Sequence, residues 1–87
     1  MLGHQGARMR VASFLLRLAE NQTRGENQLL DLPMGRQDLS DYLGLTIETT
    51  CRTLSDLKSA GIISTPNRHQ IFVRNMPGLA AVAEGSG

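Results

Sequence analysis

The chain has 87 residues, 40% of them hydrophobic and 20% charged, which fits one small globular domain rather than a disordered segment. The net charge of +1 gives no general excess of basic residues, so any surface that binds phosphate groups must be local. A single cysteine excludes an internal disulfide, and this length leaves no room for a large enclosed substrate cavity.

The residue pattern also argues against a metal site, a membrane span and an active site. Cys51 and the two histidines lie too far apart in sequence for a zinc site. No apolar run approaches the roughly 20 residues that cross a membrane, and no signal peptide is present, so we expect a cytoplasmic protein. No catalytic or phosphate-loop motif occurs, so we expect neither an enzyme nor a cofactor in this fragment.

The first predicted element is a helix from about Gln5 to Asn21. Its apolar residues recur at the spacing of one helical face: Val11, Phe14, Leu15 and Leu18. A polar loop around Gly25 follows, and the alternation of Leu30 and Leu32 before Pro33 predicts a short edge strand.

Two helices separated by a tight turn come next. The first is predicted over 36–43, capped by Gly35 and ended by Gly44. Its predicted inward residues are Leu39, Tyr42 and Leu43. The small side chain of Ser40 lets the following helix approach closely.

The second helix of the pair is predicted over 46–60, with Thr46 as its N-cap and Gly61 as its end. A rotation of about 100° per residue separates its two faces. The predicted inner face holds Ile47, Thr50, Leu54 and Leu57. The predicted outer face holds Glu48, Arg52, Ser55 and Ser59. Because threonine hydroxyls can bond to a carbonyl group one turn earlier, we expect the helix to tolerate Thr50 and Thr53.

Two β-branched runs at 62–64 and 70–74 predict a hairpin, with Pro66 and Asn67 as its turn residues. One or two helical turns follow within 76–85, and residues 85–87 are expected to be disordered. The fold class is therefore mainly α with a small β-hairpin (α+β). The order of elements is that of a winged helix-turn-helix over 7–84. The third helix, 46–60, is its recognition helix, called the reader helix below, and the hairpin is its wing.

The segments "LPMGRQDLSDYLGLTIETTCRTLSDLKSAGII" and "RHQIFVRN", together with "GARMRVASFLLRL", resemble the C-terminal DNA-binding domain of the CRP/FNR family of bacterial transcription regulators. The resemblance covers nearly the whole chain and is strongest to the FNR and FixK branch. It implies sequence-specific binding of double-stranded DNA, with the reader helix in the major groove of a palindrome resembling TTGAT-N4-ATCAA.

The resemblance also implies which residues read bases. The family pattern E-T-x-x-R is matched by Glu48, Thr49 and Arg52, and Glu48 and Arg52 would read a G·C pair. This agrees with chemistry, because a guanidinium group donates two hydrogen bonds to guanine while a carboxylate accepts one from cytosine. Cys51 would contact a neighbouring base pair, at a position where the FNR branch commonly has serine. Ile47 replaces the arginine of the cAMP-responsive branch.

The predicted DNA-backbone contacts lie at helix starts, on the reader helix and at the wing tip. They are Arg36, Thr46, Ser55, Arg68 and His69. Simpler interpretations remain for several of these side chains. The basic ones can be ordinary solvated charges, Glu48 and Arg52 can form a mere surface ion pair, and Cys51 can be an unreactive thiol rather than an oxidation sensor.

A second function class is a winged helix that binds another protein. The reader pair and the serines on the outer face favour DNA, since protein-binding surfaces tend to be apolar. The family resemblance implies a sensor domain and a dimerisation helix ahead of a linker at 1–6. We therefore expect a full-length homodimer that also contacts RNA polymerase, a mainly monomeric fragment, and no membrane partner.

Overall fold

The computed structural model describes residues 4–22 and 29–85. Its elements, in chain order, are α1 (His4–Gln22), β1 (Leu29–Asp31), α2 (Arg36–Leu43), α3 (Ile47–Ser59), β2 (Ile63–Asn67), β3 (Gln70–Val73) and α4 (Met76–Ala83). The predicted order of helices and strands is confirmed.

The three strands form one antiparallel sheet in the order β1-β3-β2. β1 lies at an edge, as predicted, and pairs with β3 so that Leu30 stands opposite Ile71. Both of these side chains are completely buried. The sequence predicted the β2–β3 hairpin but not the pairing of β1 with β3, because the residues of that pairing are distant in sequence.

The core is aliphatic and lies between α1, the sheet and the remaining helices. Its completely buried large side chains come from every layer: Val11, Leu15, Leu30, Leu39, Leu57, Ile63, Ile71, Val73 and Leu79. α1 packs against both α3 and α4. This packing holds α3 against the core by its inner face and leaves its outer face exposed.

The α2–α3 pair has the geometry of a helix-turn-helix. Gly44 takes a left-handed conformation (φ 71°), which favours glycine, and its amide donates back to the end of α2. The amide of Leu45 donates to the carbonyl oxygen of Ser40 at 2.9 Å. The turn is therefore short and fixed by backbone hydrogen bonds, which sets the direction of α3.

Tyr42 does not face inward as predicted, because 62% of the residue is exposed. Leu39 and Ser40 are both buried, so the inward face of α2 is centred on their side of the helix. Tyr42 falls more than a quarter turn from that centre at about 100° per residue. Its ring instead covers the edge of Phe14, with the ring centroids 5.7 Å apart.

Ile47 is likewise 42% exposed rather than buried. The buried residues of α3 are Thr50, Thr53, Leu54 and Leu57. The unexpected burial of Thr53 moves the centre of the inner face away from Ile47, which lies in the first turn beside the surface. The prediction for Thr50, Leu54 and Leu57 is confirmed.

The wing turn is also shifted from its predicted position. Pro66 and Asn67 lie at the end of β2, and the turn consists of Arg68 and His69. An irregular pairing between Ser64 and Asn67 accommodates the proline on this edge strand. Asn67 still shapes the turn, because its side-chain oxygen accepts a hydrogen bond from the amide of His69 at 2.8 Å.

The other boundaries differ little from those predicted. α1 extends one residue beyond the predicted helix at each end, so residues 4–6 of the predicted linker are helical. Residues 1–3, the loop around Gly25 at 23–28 and residues 86–87 of the predicted tail lie outside the described residues. None of the described helices is long and apolar enough to cross a membrane.

Candidate nucleic-acid interface

The reader helix α3 begins at a well-formed N-cap. The side-chain oxygen of Thr46 accepts a hydrogen bond from the amide of Thr49 at 3.1 Å, and Thr46 Oγ1 lies 2.9 Å from Thr49 Oγ1. Glu48 lies in the first turn and Lys58 in the last, as the helix dipole favours. The helix is therefore stabilised at both of its ends.

Glu48 and Arg52 face solvent together on the outer face of α3. Their side chains are 81% and 57% exposed, and the carboxylate and guanidinium groups lie 3.6 Å apart. An exposed i, i+4 pair of this kind contributes only about 0.3–0.5 kcal/mol. Each of the two groups can therefore leave this ion pair and bind a base edge at little cost in free energy.

A first groove runs along one side of α3, where the start of α2 and strand β2 approach it. It is lined by Arg36, Cys51, Leu54, Ser55, Lys58 and Thr65. Nη1 of Arg36 is buried and has no hydrogen-bond partner within the part of the chain that the structure describes. This groove presents two cations and no acidic group, so it suits an anion.

A second groove lies where α1 passes beside α3. It is lined by Arg8, Arg52, Asp56, Ser59 and Ala60. Among residues 4–22 and 29–85, Nε of Arg8 is the other buried side-chain nitrogen that lacks a hydrogen-bond partner. As a result, an α1 side chain stands beside the predicted base-reading arginine.

The wing tip is braced by a line of side-chain hydrogen bonds. Asn67 donates to the side-chain oxygen of Gln70 at 2.9 Å, and Gln70 donates to the carboxylate of Asp31 at 2.9 Å. Arg68 and His69, both exposed, form the turn. The bracing ties the wing to β1 and presents these two side chains at a fixed position.

Positive charge is concentrated on these surfaces. The two grooves, the reader pair and the wing turn at 68–69 contain five of the eight Lys and Arg residues that the structure describes, and two of its seven acidic residues. The cations are Arg8, Arg36, Arg52, Lys58 and Arg68, and the acids are Glu48 and Asp56. A basic footprint thus exists although the net charge of the chain is only +1.

The predicted site residues fall into two groups in space. α3 and the start of α2 bring together Arg36, Thr46, Glu48, Thr49, Cys51, Arg52 and Ser55. Arg68 and His69 form a separate group at the wing tip. Cys51 is exposed, as a base contact requires. The functional roles of all these residues remain predictions.

Two cations were missed as site residues. Lys58 is not among the predicted site residues, yet it shares the first groove with Arg36. Its i, i+3 relation to Ser55 could have revealed this. No sequence signal places Arg8 beside Arg52, because that proximity depends on how α1 crosses α3. The described residues contain no group of His, Cys, Asp and Glu side chains that could hold a metal ion.

A short α2–turn–α3 unit with an exposed reader helix and a braced hairpin defines a winged helix-turn-helix DNA-binding domain. The family model of the Crp-like helix-turn-helix domain matches residues 9–82. The chain therefore belongs to the CRP/FNR family, whose helix-turn-helix domains bind DNA in transcription regulation and are not enzymes.

Individual relatives agree with this assignment. The nitrogen fixation regulation protein FixK of Azorhizobium caulinodans is 43% identical over 82 residues, which is 91% of this chain and 33% of the relative. The structure of FixK2 from Bradyrhizobium japonicum has a TM-score of 0.79 and 41% identity, covering 87% of this chain and 37% of that one. The catabolite activator protein of Thermus thermophilus has a TM-score of 0.80 and 28% identity, covering 99% and 38%.

The chain thus spans about a third of the length of the relatives it matches. The similarity to FixK supports the predicted resemblance to the FNR and FixK branch. The family match over residues 9–82 includes the first groove and the wing, and it begins one residue after Arg8 of the second groove.

Proposed function

We propose that the chain is the output domain of a transcription regulator and reads a TTGAT-like half-site in the palindrome TTGAT-N4-ATCAA. The observation that carries the proposal is the exposed Glu48–Arg52 pair on α3, flanked by basic grooves. An α-helix fits the major groove of B-DNA, where each base pair presents a distinct pattern of donors and acceptors.

Within the half-site, Arg52 donates to guanine O6 and N7, and Glu48 accepts from cytosine N4. Thr49 and Cys51 contact the neighbouring base pairs from the same turn of α3. Ile47 supports a thymine-containing site, because its exposed apolar surface can contact a thymine methyl group.

The backbone contacts hold the domain in register on the duplex. Arg36, Thr46 and Ser55 bind phosphates beside α3, and Arg68 and His69 bind them at the wing. We add Lys58 and Arg8 to this set, because each lines a groove next to the reader face. Such contacts carry affinity and salt dependence rather than sequence preference.

In the whole protein, two such domains would bind the two halves of the palindrome as a homodimer. Half-sites of helix-turn-helix dimers are about 34 Å apart, so a reader helix from each subunit can meet one face of the DNA. A contact with RNA polymerase completes the proposed regulator. Binding to the bacterial chromosome places its activity in the cytoplasm.

The second candidate, a protein-binding winged helix, gains one observation from the exposure of Ile47 and Phe72. These two side chains lie on different elements, α3 and β3, and the outer face between Glu48 and Ser59 is polar. Protein interfaces are enriched in aromatic and apolar residues at their centre. The charged reader pair therefore favours DNA.

A gel-shift titration tests the proposal. The fragment should retain the palindrome more strongly than a shuffled duplex of the same composition, and about 200 mM added salt should weaken both complexes. Equal affinity for the two duplexes would contradict base reading. No binding at low salt would favour the protein-binding alternative.

A further inference from the structure

Two hydroxyl groups meet inside the otherwise apolar contact between α2 and α3. Ser40 and Thr50 are both completely buried, and their side-chain oxygens lie 2.7 Å apart. Within residues 4–22 and 29–85, the only other buried polar residue is Thr53. The contact between α2 and α3 thus contains a hydrogen bond between two hydroxyl groups at a position where aliphatic side chains could also pack.

The link continues as a chain of hydrogen bonds. The Thr50 hydroxyl donates to the carbonyl oxygen of Thr46 at 3.0 Å, and the Ser40 hydroxyl donates to Thr50 Oγ1. Ser40 Oγ also lies 2.8 Å from the carbonyl oxygen of Arg36. Because each hydroxyl group has one proton, Ser40 donates either to Thr50 Oγ1 or to the carbonyl oxygen of Arg36. Together the three contacts extend from the first residue of α2 to the N-cap of α3.

We propose that the Ser40–Thr50 hydroxyl pair is a positioning device: it sets the spacing between α2 and α3 and thereby the sequence preference of the DNA-reading face. The inference rests on the proposed function, because the consequence is read out in DNA preference. Ser40 and Thr50 would touch no DNA themselves. They would act through Glu48 and Arg52, which flank Thr50 on α3.

The distance between the two oxygens is the physical reason. At 2.7 Å the groups are closer than a carbon and an oxygen can approach, since even close C···O contacts lie at about 3.3–3.6 Å. A valine that keeps the side-chain position of Thr50 places a methyl group where Oγ1 bonds back to Thr46. We therefore expect Thr50→Val to move the helices apart by up to about 0.6 Å at this point.

A shift of that size matters for reading but little for folding. Donor–acceptor distances in protein hydrogen bonds span only about 2.7–3.2 Å, and functional groups must be held to within about 0.5 Å. We therefore expect a shift between α2, which carries Arg36, and α3, which carries Arg52, to weaken one of their two proposed DNA contacts. In contrast, Thr50→Val leaves no buried group unpaired, because the Ser40 hydroxyl still has the Arg36 carbonyl oxygen at 2.8 Å.

Three variants test the idea: Thr50→Val, Ser40→Ala and the double variant. The measurement is the ratio of affinities for a TTGAT half-site duplex and a shuffled duplex at one salt concentration, with thermal unfolding measured in parallel. Thr50→Val should lower the ratio about tenfold, within the range that one bidentate base contact contributes. Ser40→Ala should lower it less than Thr50→Val does. The double variant should recover most of the loss, because removing Ser40 Oγ makes room for the valine methyl group.

Thr50→Ser is the matched control, since it keeps the hydroxyl and should keep the ratio even if Thr50→Val folds poorly. An unchanged ratio in a folded Thr50→Val variant, or a double variant as poor as Thr50→Val, would overturn the inference. Crystal structures separate this outcome from failure of the proposed function. If the wild type shows no preference between the duplexes, the proposed function fails. Separately, an unchanged distance between the Cα atoms of residues 40 and 50 in the crystal structure of Thr50→Val would refute the positioning role.

Discussion

On the outer face of α3 the side chains form only a weak ion pair, whereas the backbone of the first turn is fixed by an N-cap. The Glu48–Arg52 ion pair is exposed and contributes only about 0.3–0.5 kcal/mol. A bidentate base contact contributes about 1–3 kcal/mol of discrimination, so base edges can displace the pair. The N-cap at Thr46 keeps the same turn of helix ordered while its side chains change partners.

Alkylation of Cys51 is expected to weaken DNA binding. Cys51 is exposed and lines the groove that also contains Arg36 and Lys58, so an iodoacetamide adduct would fill space that DNA needs. We expect the modified protein to bind the palindrome more weakly, as measured by fluorescence anisotropy. Cys51→Ser treated with the same reagent is the control and should bind normally, with its base preference moved toward that of the FNR branch. Unchanged affinity after complete alkylation would show that Cys51 lies outside the interface.

At the scale of secondary-structure elements, the α2–α3 turn determines where the reader helix points. Gly44 adopts φ 71°, and a Cβ atom placed there would lie 3.3 Å from Nη1 of Arg10. That guanidinium group donates to the carbonyl oxygen of Leu43 at 3.0 Å and so caps α2 from α1. A single position thus combines a left-handed backbone with a close contact to a third helix.

Gly44→Ala should therefore lower the free energy of unfolding by about 1–2 kcal/mol, since a left-handed conformation costs an L-residue about that much. Urea unfolding followed by circular dichroism measures the change. Gly35→Ser is the matched control, because Gly35 has φ −79° and open space around it, and its side-chain cap is missing. The serine should leave stability unchanged or raise it slightly. Equal destabilisation by the two changes would contradict the role assigned to Gly44.

The sequence predicted the elements well because periodicity and turn residues are local signals. The bounds of α2 and the cap of α3 followed directly from Gly44 and Thr46. The pairing of β1 with β3 could not be predicted, since it depends on contacts distant in sequence. The orientations of Tyr42 and Ile47 were wrong because buried hydroxyl residues, which carry no hydrophobic signal, shift the inner faces of their helices.

The sequence predicted part of the candidate site, as it predicted part of the fold. Its reader face followed from helical spacing, and the exposure of Glu48, Cys51, Arg52 and Ser55 fits that prediction. The first groove brings Lys58 next to Arg36, and the second brings Arg8 next to Arg52. The i, i+3 relation of Lys58 to Ser55 was a sequence signal for the first groove. The proximity of Arg8 to Arg52 arises from the way α1 passes α3, which single-sequence patterns do not contain.

In the molecule as a whole, the candidate site lies on one surface, and the described residues include no large apolar patch for self-association. Among the described residues, the large exposed apolar side chains lie on four different elements: Met9, Tyr42, Ile47 and Phe72. Stable homodimer interfaces need a contiguous and largely apolar patch of about 800 Å² on each partner. Met9 and Tyr42 line one groove with Phe14 and Leu43, whereas Ile47 and Phe72 lie on α3 and β3. These few side chains fall short of such a patch.

We therefore expect this fragment to be a monomer at micromolar concentration and to bind a full palindrome only weakly. The reason is that each half-site must be bound separately when no linkage raises the effective concentration of the second domain. Sedimentation velocity over a range of concentrations measures this directly. A tight dimer in the absence of DNA would contradict the expectation.

Arg52→Ala tests whether the outer face of α3 reads bases. Binding of the wild type and the variant is compared on a matched duplex and on one with the G·C pair reversed, at fixed salt. Arg52→Ala should cost about 1–3 kcal/mol on the matched duplex and remove most of the difference between the two.

Arg68→Ala is the matched control, because Arg68 is also an exposed arginine but lies at the wing tip. It should weaken binding to both duplexes equally and reduce the salt dependence by about one phosphate contact. Neither change should alter the stability of the fold by more than about 0.5 kcal/mol. If Arg52→Ala instead weakened both duplexes equally and preserved their difference, Arg52 would contact phosphate, and base reading by this face of α3 would be contradicted.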